Sequence, residues 1–521
     1  MKRELRDIDA KELGKLEELV EISRFYGKDN RFVIAGGGNT SYKNDEKIWV
    51  KASGHALATI TVDGFAVLDR SKLAPMATKA YSEQPDEREE QVKNDLAAAT
   101  FTKGRRPSVE TSLHDAINWP FVVHLHPTAV NGLLCARNAE QGVEKLFGKK
   151  TLYVPYTDPG YVLFKAVSDK IASYRATYNE EPRVIWLQNH GIFVGADSTE
   201  EIRELYDAIL KIIEGAMTMP LPVGELETCR CVADVLPALR MLLSGEELKT
   251  LKVRNNTLIK HYSDDPENQR AIARPFTPDG IVYCKSNYLF LNGETPEELI
   301  AEGEKAIPAF TERFGYPPKV LLVKGIGLVA VGDHAKQCDT ILDVFEDAMK
   351  VAYIARSFGG PHPMTPEQVE FIDNWEVENY RRSVGAGSAR GRVENRTIVI
   401  TGAAQGFGEG IGRCLLREGA NIVVADLNEE AGKTTVEEFN RLAGNNRALF
   451  VKTNVADLTC LENLIHASVC QFGAIDCFIS NAGVLRAGGL EEMTAENFDF
   501  VTKINYNAYF FCAKVASKVM K

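Results

Sequence analysis

Ten cysteines are spread over 521 residues without a single Cys-x-x-Cys, and Cys229 and Cys231 are the only close pair. In a long chain without a signal this usage reads as reduced thiols packed in cores. No apolar run approaches the length of a membrane span, which excludes a helical membrane protein from the reading. The first residues, Met1-Lys2-Arg3-Glu4-Leu5-Arg6-Asp7, are too charged for a secretory signal, so the expected compartment is cytoplasmic. A long basic run is also missing, and the net charge is −11; both argue against a nucleic-acid partner. What remains is an ordinary globular composition, 45% hydrophobic and 26% charged, with chain enough for two or three domains.

The chemistry concentrates in Arg106-Pro107-Ser108-Val109-Glu110 and Val123-His124-Leu125-His126-Pro127. Histidines at i and i+2 of a strand point to the same side, because strand side chains alternate. Gln188-Asn189-His190-Gly191, between two apolar strands, offers a third imidazole. Three imidazoles with an open position describe a catalytic zinc site, and Glu110 is the nearby carboxylate. The plain alternative for His124 and His126 alone is a pair of half-buried strand histidines. Their company weighs against it: Gly36-Gly37-Gly38-Asn39-Thr40-Ser41, Lys51-Ala52-Ser53-Gly54-His55 and Arg106-Pro107-Ser108 are turns able to present N–H groups and hydroxyls to a phosphate.

This order of motifs resembles the class II aldolase/adducin family over roughly residues 10 to 220. The resemblance implies Zn²⁺ on His124, His126 and His190, with Glu110 moving a proton at the carbon that becomes a carbanion. It places a sugar phosphate on Asn39, Ser53, Gly54 and Ser108, with His55 in a supporting position. Val109 stands where many relatives have a second phosphate-binding serine. The resemblance also implies a homo-oligomer. His114, alone on a helix over Ser112 to Asn118, is read as structural. Other expected elements are a helix over residues 9 to 26, a short strand from Arg31 to Ala35, a strand from Ile48 to Ala52 and a hairpin from Thr59 to Leu68. The charged stretch from Lys79 to Arg106 is read as solvated surface.

Val320 to Gly332 echoes Val184 to Gly195, each followed by a long helix, with Ile326 in the place of His190. A degenerate repeat that lost its metal and an unrelated strand–turn–strand–helix unit both account for this. Thr365-Pro366-Glu367-Gln368 starts a helix expected to run to about Arg382. The Gly/Ser/Ala-rich Ser383 to Arg392 then reads as a linker. The expected domains are therefore 1–220, 221–382, a linker at 383–393, and 394–521.

In the last of these, Thr397 to Thr401 is a buried-type strand entering Gly402-Ala403-Ala404-Gln405-Gly406-Phe407-Gly408, with a helix from Gly410 to Glu418 and a strand ending at Asp426. Gly402, Gly406 and Gly408 let backbone approach a pyrophosphate, and Asp426 suits ribose hydroxyls, favouring NAD over NADP. The segment resembles the short-chain dehydrogenase/reductase family, whose turn after the fourth strand matches Asn481-Ala482-Gly483 and whose tetrad asparagine matches Asn505. The resemblance implies NAD bound by Gly402, Gly406, Gly408, Asp426, Asn481 and Gly483. The family's serine and Tyr-x-x-x-Lys follow that asparagine; only 16 residues follow Asn505 here, and the sole Tyr-x-x-x-Lys, Tyr161 to Lys165, is in the other half. The expected fold class is α/β: an aldolase-like domain, then an incomplete Rossmann-type, doubly wound parallel sheet. The pairing of families points to rhamnulose- or fuculose-type ketose phosphate cleavage, with an epimerase of the same fold or a metal-free adducin-like module as alternatives. The dehydrogenase half of these 521 residues is expected to be inactive.

Overall fold

A computed structural model describes residues 10–102, 104–374 and 391–520. The chain divides into two compact units: 1–221 with 274–282 and 347–383, and 222–273 with 283–346 and 384–521. The stretch 221–382, expected as one region, is thus shared between both. Most of the expected linker lies outside the described residues, as does the end of the helix expected to reach Arg382; its described part is Pro366–Asn374.

The first unit is built on a seven-stranded mixed sheet. Its strands are β1 (Asn39–Lys43), β2 (Lys47–Lys51), β3 (Phe65–Asp69), β4 (Phe121–Leu125), β5 (Leu152–Val154), β6 (Val184–Leu187) and β7 (Gly191–Ala196). They lie in the order β3-β2-β1-β4-β7-β6-β5, antiparallel except β5 on β6. Alternation sorts the residues of β4 and β7. Phe121, Val123, Leu125, Ile192 and Val194 join one core with the helices Ala10–Gly27 and Thr199–Ala216; Val122 and Phe193 join the core on the other face. Ser198 caps the second of those helices by accepting from the Glu201 N–H at 3.2 Å.

Two local expectations fail. Arg31 to Ala35 is a turn: the Phe32 and Val33 N–H groups both bond the Asp29 carbonyl, and Ala35 has φ 55°. Phe32 and Val33 are buried in the core that holds Tyr26 and Tyr206, so the turn has the composition of a short strand. The hairpin over Thr59 to Leu68 has a strand only from Phe65, and it pairs back onto β2, since two short 3₁₀ turns occupy 57–59 and 62–64.

The second unit holds two four-stranded sheets. The first contains β8 (Thr250–Arg254), β9 (Leu289–Leu291), β10 (Val320–Val323) and β11 (Gly327–Gly332), in the order β8-β11-β10-β9. The second, all parallel, contains β12 (Thr397–Thr401), β13 (Asn421–Asp426), β14 (Ala448–Lys452) and β15 (Cys477–Ile479), in the order β14-β13-β12-β15. That is the 3-2-1-4 arrangement of a dinucleotide-binding half-sheet. One apolar core, from Val232 through Val323 to Val399 and Phe472, serves both sheets. Arg240, 1% exposed, crosses it and donates to both Asp476 carboxylate oxygens and to the carbonyls of Asn395 and Lys249. A buried guanidinium stripped of those acceptors would be costly. Cys229 and Cys231, expected as free thiols, are disulfide-bonded, their Cα atoms 5.2 Å apart; the other eight cysteines are free.

Candidate functional site

In the first unit β4 carries His124 at its end, the residue after Leu125 carries His126, and the three-residue turn between β6 and β7 carries His190. Antiparallel pairing of β4 with β7 sets Leu125 opposite Ile192, so the turn bearing His190 arrives beside both strand histidines. The ligand nitrogens of all three lie within 4.8 Å of one another. His124 Nε2 and His126 Nε2 are 3.0 Å apart. Ligands about 2.0–2.1 Å from a tetrahedral zinc are separated by roughly 3.3 Å, so the spacing suits a shared ion.

The far side of two rings is tied. His124 Nδ1–H donates to the Ile192 carbonyl at 2.9 Å, which leaves Nε2 with its lone pair facing the cluster. His124 is fully buried and stacks on Phe193, ring centres 4.0 Å apart. His126 Nδ1 meets Asp279 Oδ2 at 2.7 Å. Three converging nitrogens, two of them oriented from behind, fit a zinc-type donor set.

Glu110 closes the cluster. Its Oε1 is 3.4 Å from both His124 Nε2 and His190 Nε2. Burial works against its charge, but His124, His190 and His126 outweigh it and hold the carboxyl well below the usual range. Burial, with the neighbouring His124 and His126, pushes His190 down to about 3. Asn39 lies opposite His124 in the β1–β4 register and donates its amide to Ser108 Oγ at 3.0 Å and to Glu110 Oε2. The Glu110 N–H also bonds Ser108 Oγ, at 3.2 Å. Asn39 and Ser108, expected at a phosphate, are thus buried beside the carboxylate and hold it. Ser53 and Gly54 are exposed, and the Ser53 N–H is tied to the Arg106 carbonyl at 2.9 Å. His55 is exposed in the same loop. His114 is buried, with Nδ1 2.8 Å from Ser41 Oγ. The charged stretch, expected as surface, has the helix Pro85–Ala99 at its centre, and with Arg106, Pro107, Val109 and Phe371 this helix lines a cavity of about 880 Å³.

Sequence reasoning missed Asp279. It is 153 residues from His126 and reaches the first unit on the segment 274–282. Its only sequence signal is the Thr277-Pro278-Asp279-Gly280 turn.

The second unit presents the dinucleotide fingerprint in its expected frame. Gly402 has φ +65°, and a Cβ there would lie 2.9 Å from Ala482 Cα; one on Gly408 would lie 2.3 Å from the Gly402 carbonyl. Gly406 opens the helix Gly406–Arg417, four residues earlier than the expected start at Gly410. Asn481 donates its side-chain amide to the carbonyls of Thr401 (3.0 Å) and Gly402 (3.1 Å), so it holds the loop's first turn. Asp426, at the end of β13, accepts from the Ala404 N–H at 3.0 Å. Asn505 lies in a π-type turn at Lys503–Asn507 and bonds both backbone groups of Val484, just past Gly483. A cradle that side chains would fill, at a helix N-terminus and beside an acid, fits a dinucleotide.

Comparison with known proteins agrees with both halves. Residues 17–216 match the class II aldolase and adducin N-terminal domain, and residues 396–521 match the short chain dehydrogenase family. A Bacillus subtilis (strain 168) protein described as the uncharacterized oxidoreductase YuxG is 26% identical over 552 residues, which cover 97% of this chain and 78% of that protein. The uncharacterized oxidoreductase Mb1385 of Mycobacterium bovis is 36% identical over 126 residues, 24% of this chain and 50% of that protein. The chain spans about half the length of the oxidoreductases that match only its C-terminal part. A solved N-terminal class II aldolase domain of a conserved protein from Thermoplasma acidophilum is 26% identical, covering 38% of this chain and 92% of that one, with a TM-score of 0.33.

Proposed function

We propose that this chain, a class II aldolase domain joined to a short-chain dehydrogenase domain, cleaves a ketose 1-phosphate of the rhamnulose or fuculose type into dihydroxyacetone phosphate and an aldehyde. The observation that carries the reading is the convergence of His124, His126 and His190 on one point with Glu110 against it. Those three histidines would hold Zn²⁺, which when bound would supply Lewis-acid chemistry at a substrate carbonyl. Glu110, kept ionised by its neighbours, takes the C3 proton of dihydroxyacetone phosphate in the condensation direction; on cleavage it delivers to C3 the proton that the C4 hydroxyl gives up as it becomes the aldehyde. Asn39 and Ser108 fix its orientation. The phosphate rests on the exposed Ser53–Gly54 loop, beside Ser108. In the dehydrogenase domain Gly402, Gly406, Gly408, Asp426, Asn481 and Gly483 hold NAD, whose chemistry is hydride transfer to or from the released aldehyde.

Released dihydroxyacetone phosphate, followed with a coupled triose assay on a panel of ketose 1-phosphates, tests the proposal. Cleavage should track one zinc per chain, and Glu110→Gln should keep the zinc while slowing turnover by roughly 10²–10⁴-fold. An epimerised pentulose phosphate with no triose would replace aldolase by epimerase. A wild-type protein free of zinc, or one whose zinc content is unchanged by His124→Ala, would leave a metal-free binding module.

A further inference from the structure

We infer that Asp279 is a positioning residue for the metal ligand His126, and that the glycine run before β1 is there in part to admit its carboxylate. The inference rests on the zinc reading of the histidine cluster. Three observations, all inside the first unit, carry it.

The first is geometric. Asp279 Oδ2 lies 2.7 Å from His126 Nδ1, the length of a charge-assisted hydrogen bond. With Nδ1–H donating to the carboxylate, Nε2 is left as the ligand atom, 3.0 Å from His124 Nε2. His124 receives the same orientation from the Ile192 carbonyl. A carbonyl and a carboxylate are not equal partners, because the charged carboxylate raises the basicity of the ring in front of it more than a neutral carbonyl does. His126 is also the one strand histidine beyond the last residue of β4, where ladder bonds no longer hold the backbone.

The second is the anchoring of the segment that brings Asp279. Asn189, the residue before His190, donates its amide to the Phe276 carbonyl at 2.9 Å and to the His362 carbonyl at 2.9 Å. Thr277 receives the Gly280 N–H on its carbonyl at the start of the helix Pro278–Cys284, whose first turn carries Asp279. The same short stretch therefore touches the supports of two of the three ligands.

The third is space. A Cβ on Gly37 would lie 3.0 Å from Asp279 Oδ2 and 3.4 Å from His126 Nδ1. Gly37 is not among the positive-φ glycines, so its backbone conformation is open to any residue. A methyl group there would press on the Asp279 carboxylate, which must give by a few tenths of an ångström, and the Asp279–His126 pair would take that shift.

The experiment is zinc titration against a competing chelator on the full chain, for the wild type and Asp279→Ala, Asp279→Asn, Gly37→Ala and Thr277→Ala. Asp279→Ala should weaken zinc by roughly 10–100-fold. Asp279→Asn retains an acceptor without the charge and should fall between. Gly37→Ala should follow Asp279→Ala in direction, and the absorption bands of the cobalt-substituted protein should shift in both. Thr277→Ala removes only the 3.4 Å contact from the Gly280 N–H to Thr277 Oγ1 and leaves both the backbone bond and the carboxylate, so it should retain affinity to within a few-fold. The thermal midpoint of each zinc-free variant should match the zinc-free wild type, with the loss seen only in the upward shift that zinc produces. Wild-type affinity and unchanged cobalt bands in Asp279→Ala overturn the inference while the zinc reading stands. An equal drop in midpoint with and without zinc assigns Asp279 to the fold alone and overturns it too. A wild type that binds no zinc removes both.

Discussion

Two sheets in this molecule share their wiring and differ in their contents. The order β4-β7-β6-β5 in the first unit is matched by β8-β11-β10-β9 in the second. Both central hairpins close with a three-residue turn, Leu187 opposite Gly191 and Val323 opposite Gly327. In both the outermost strand is parallel to its neighbour. The middle residue of each turn is left-handed, Asn189 at φ 54° and Gly325 at φ 72°. The glycine after each turn meets the same obstacle: a Cβ would lie 2.5 Å from the Leu125 carbonyl on Gly191 and 2.6 Å from the Arg254 carbonyl on Gly327. Matching the registers puts Val253 where His124 stands, Asn255 where His126 stands and Ile326 where His190 stands. Ile326 is fully buried in an apolar core. The frame alone therefore makes no site; three imidazoles, the carboxylate among them and their supports do.

Writing the second sheet's residue into the first should have the largest effect. On the proposed function, His190→Ile is expected to take zinc from about one per chain to near zero and to cut ketose phosphate cleavage by roughly 10³-fold or more. Metal analysis and the triose assay read it. Full zinc in this variant would mean that the turn histidine is incidental and that the two sheets differ less than their contents suggest.

A second contrast is the three strands, β1 to β3, that only the first sheet adds beyond β4. Lys43 on β1 is 4% exposed and donates to the His114 carbonyl at 2.6 Å. Burial pulls its pKa down to about 7, against partial support from Asp115. Between about pH 7 and 10.5 the unfolded chain binds this proton and the folded one does not, so stability rises with pH across that window. Below it both states are charged and the burial penalty is fully present. Lys43→Met should be the more stable protein at pH 6, by roughly 3 kcal/mol, and should lose that advantage as pH rises. Parallel denaturation curves at pH 6 and pH 9.5 measure this, and an equal difference at both would refute the buried charge.

The reverse graft is expected to do less. Ile326→His buries an imidazole among apolar side chains and should cost about 2 kcal/mol without creating a metal site. The triple change Val253→His, Asn255→His and Ile326→His, made in the His190→Ile background, should recover zinc binding at least tenfold weaker than the wild type. The register supplies no carboxylate behind the new residue 255, and outer partners of that kind are worth roughly 10–100-fold in affinity. Wild-type affinity in the grafted sheet would show that three histidines on this frame suffice.

How much of this was legible depends on how local the cause is. His124 and His126 follow from strand alternation, and His190 from a turn between two apolar strands, so their meeting needed only sheet pairing. The dinucleotide turn is equally local, since strand, glycines and helix adjoin in sequence. Arg31 to Ala35 misled because a buried turn has the composition of a short strand. Asn39 and Ser108 were found as residues, but their bonds to each other and to Glu110 were out of reach, because which neighbour takes an amide N–H is decided only when β1 and the Ser108 loop come together. Asp279 was out of reach for the same reason, 153 residues from its partner. The sharing of 221–382 between two units has no compositional signature at all.

The smallest effects lie at the left-handed turn position, where the sheets exchange Asn189 for Gly325. Asn189→Gly removes the Cβ strain of φ 54° but also two bonds, to the Phe276 and His362 carbonyls. At about 1 kcal/mol each, partly offset by that relief, the net loss should be about 1 kcal/mol, with zinc binding weakened a few-fold because His190 is the next residue. Gly325→Asn asks the opposite question. A Cβ there meets nothing within 4 Å, and asparagine is the side chain that best tolerates the left-handed region. The only cost is the residual preference for glycine, so stability should change by less than about 1 kcal/mol. Urea denaturation of the two variants side by side decides the matter. If Gly325→Asn proves as damaging as Asn189→Gly, the turn of the second sheet has a constraint of its own, and its likeness to the first ends at the strands.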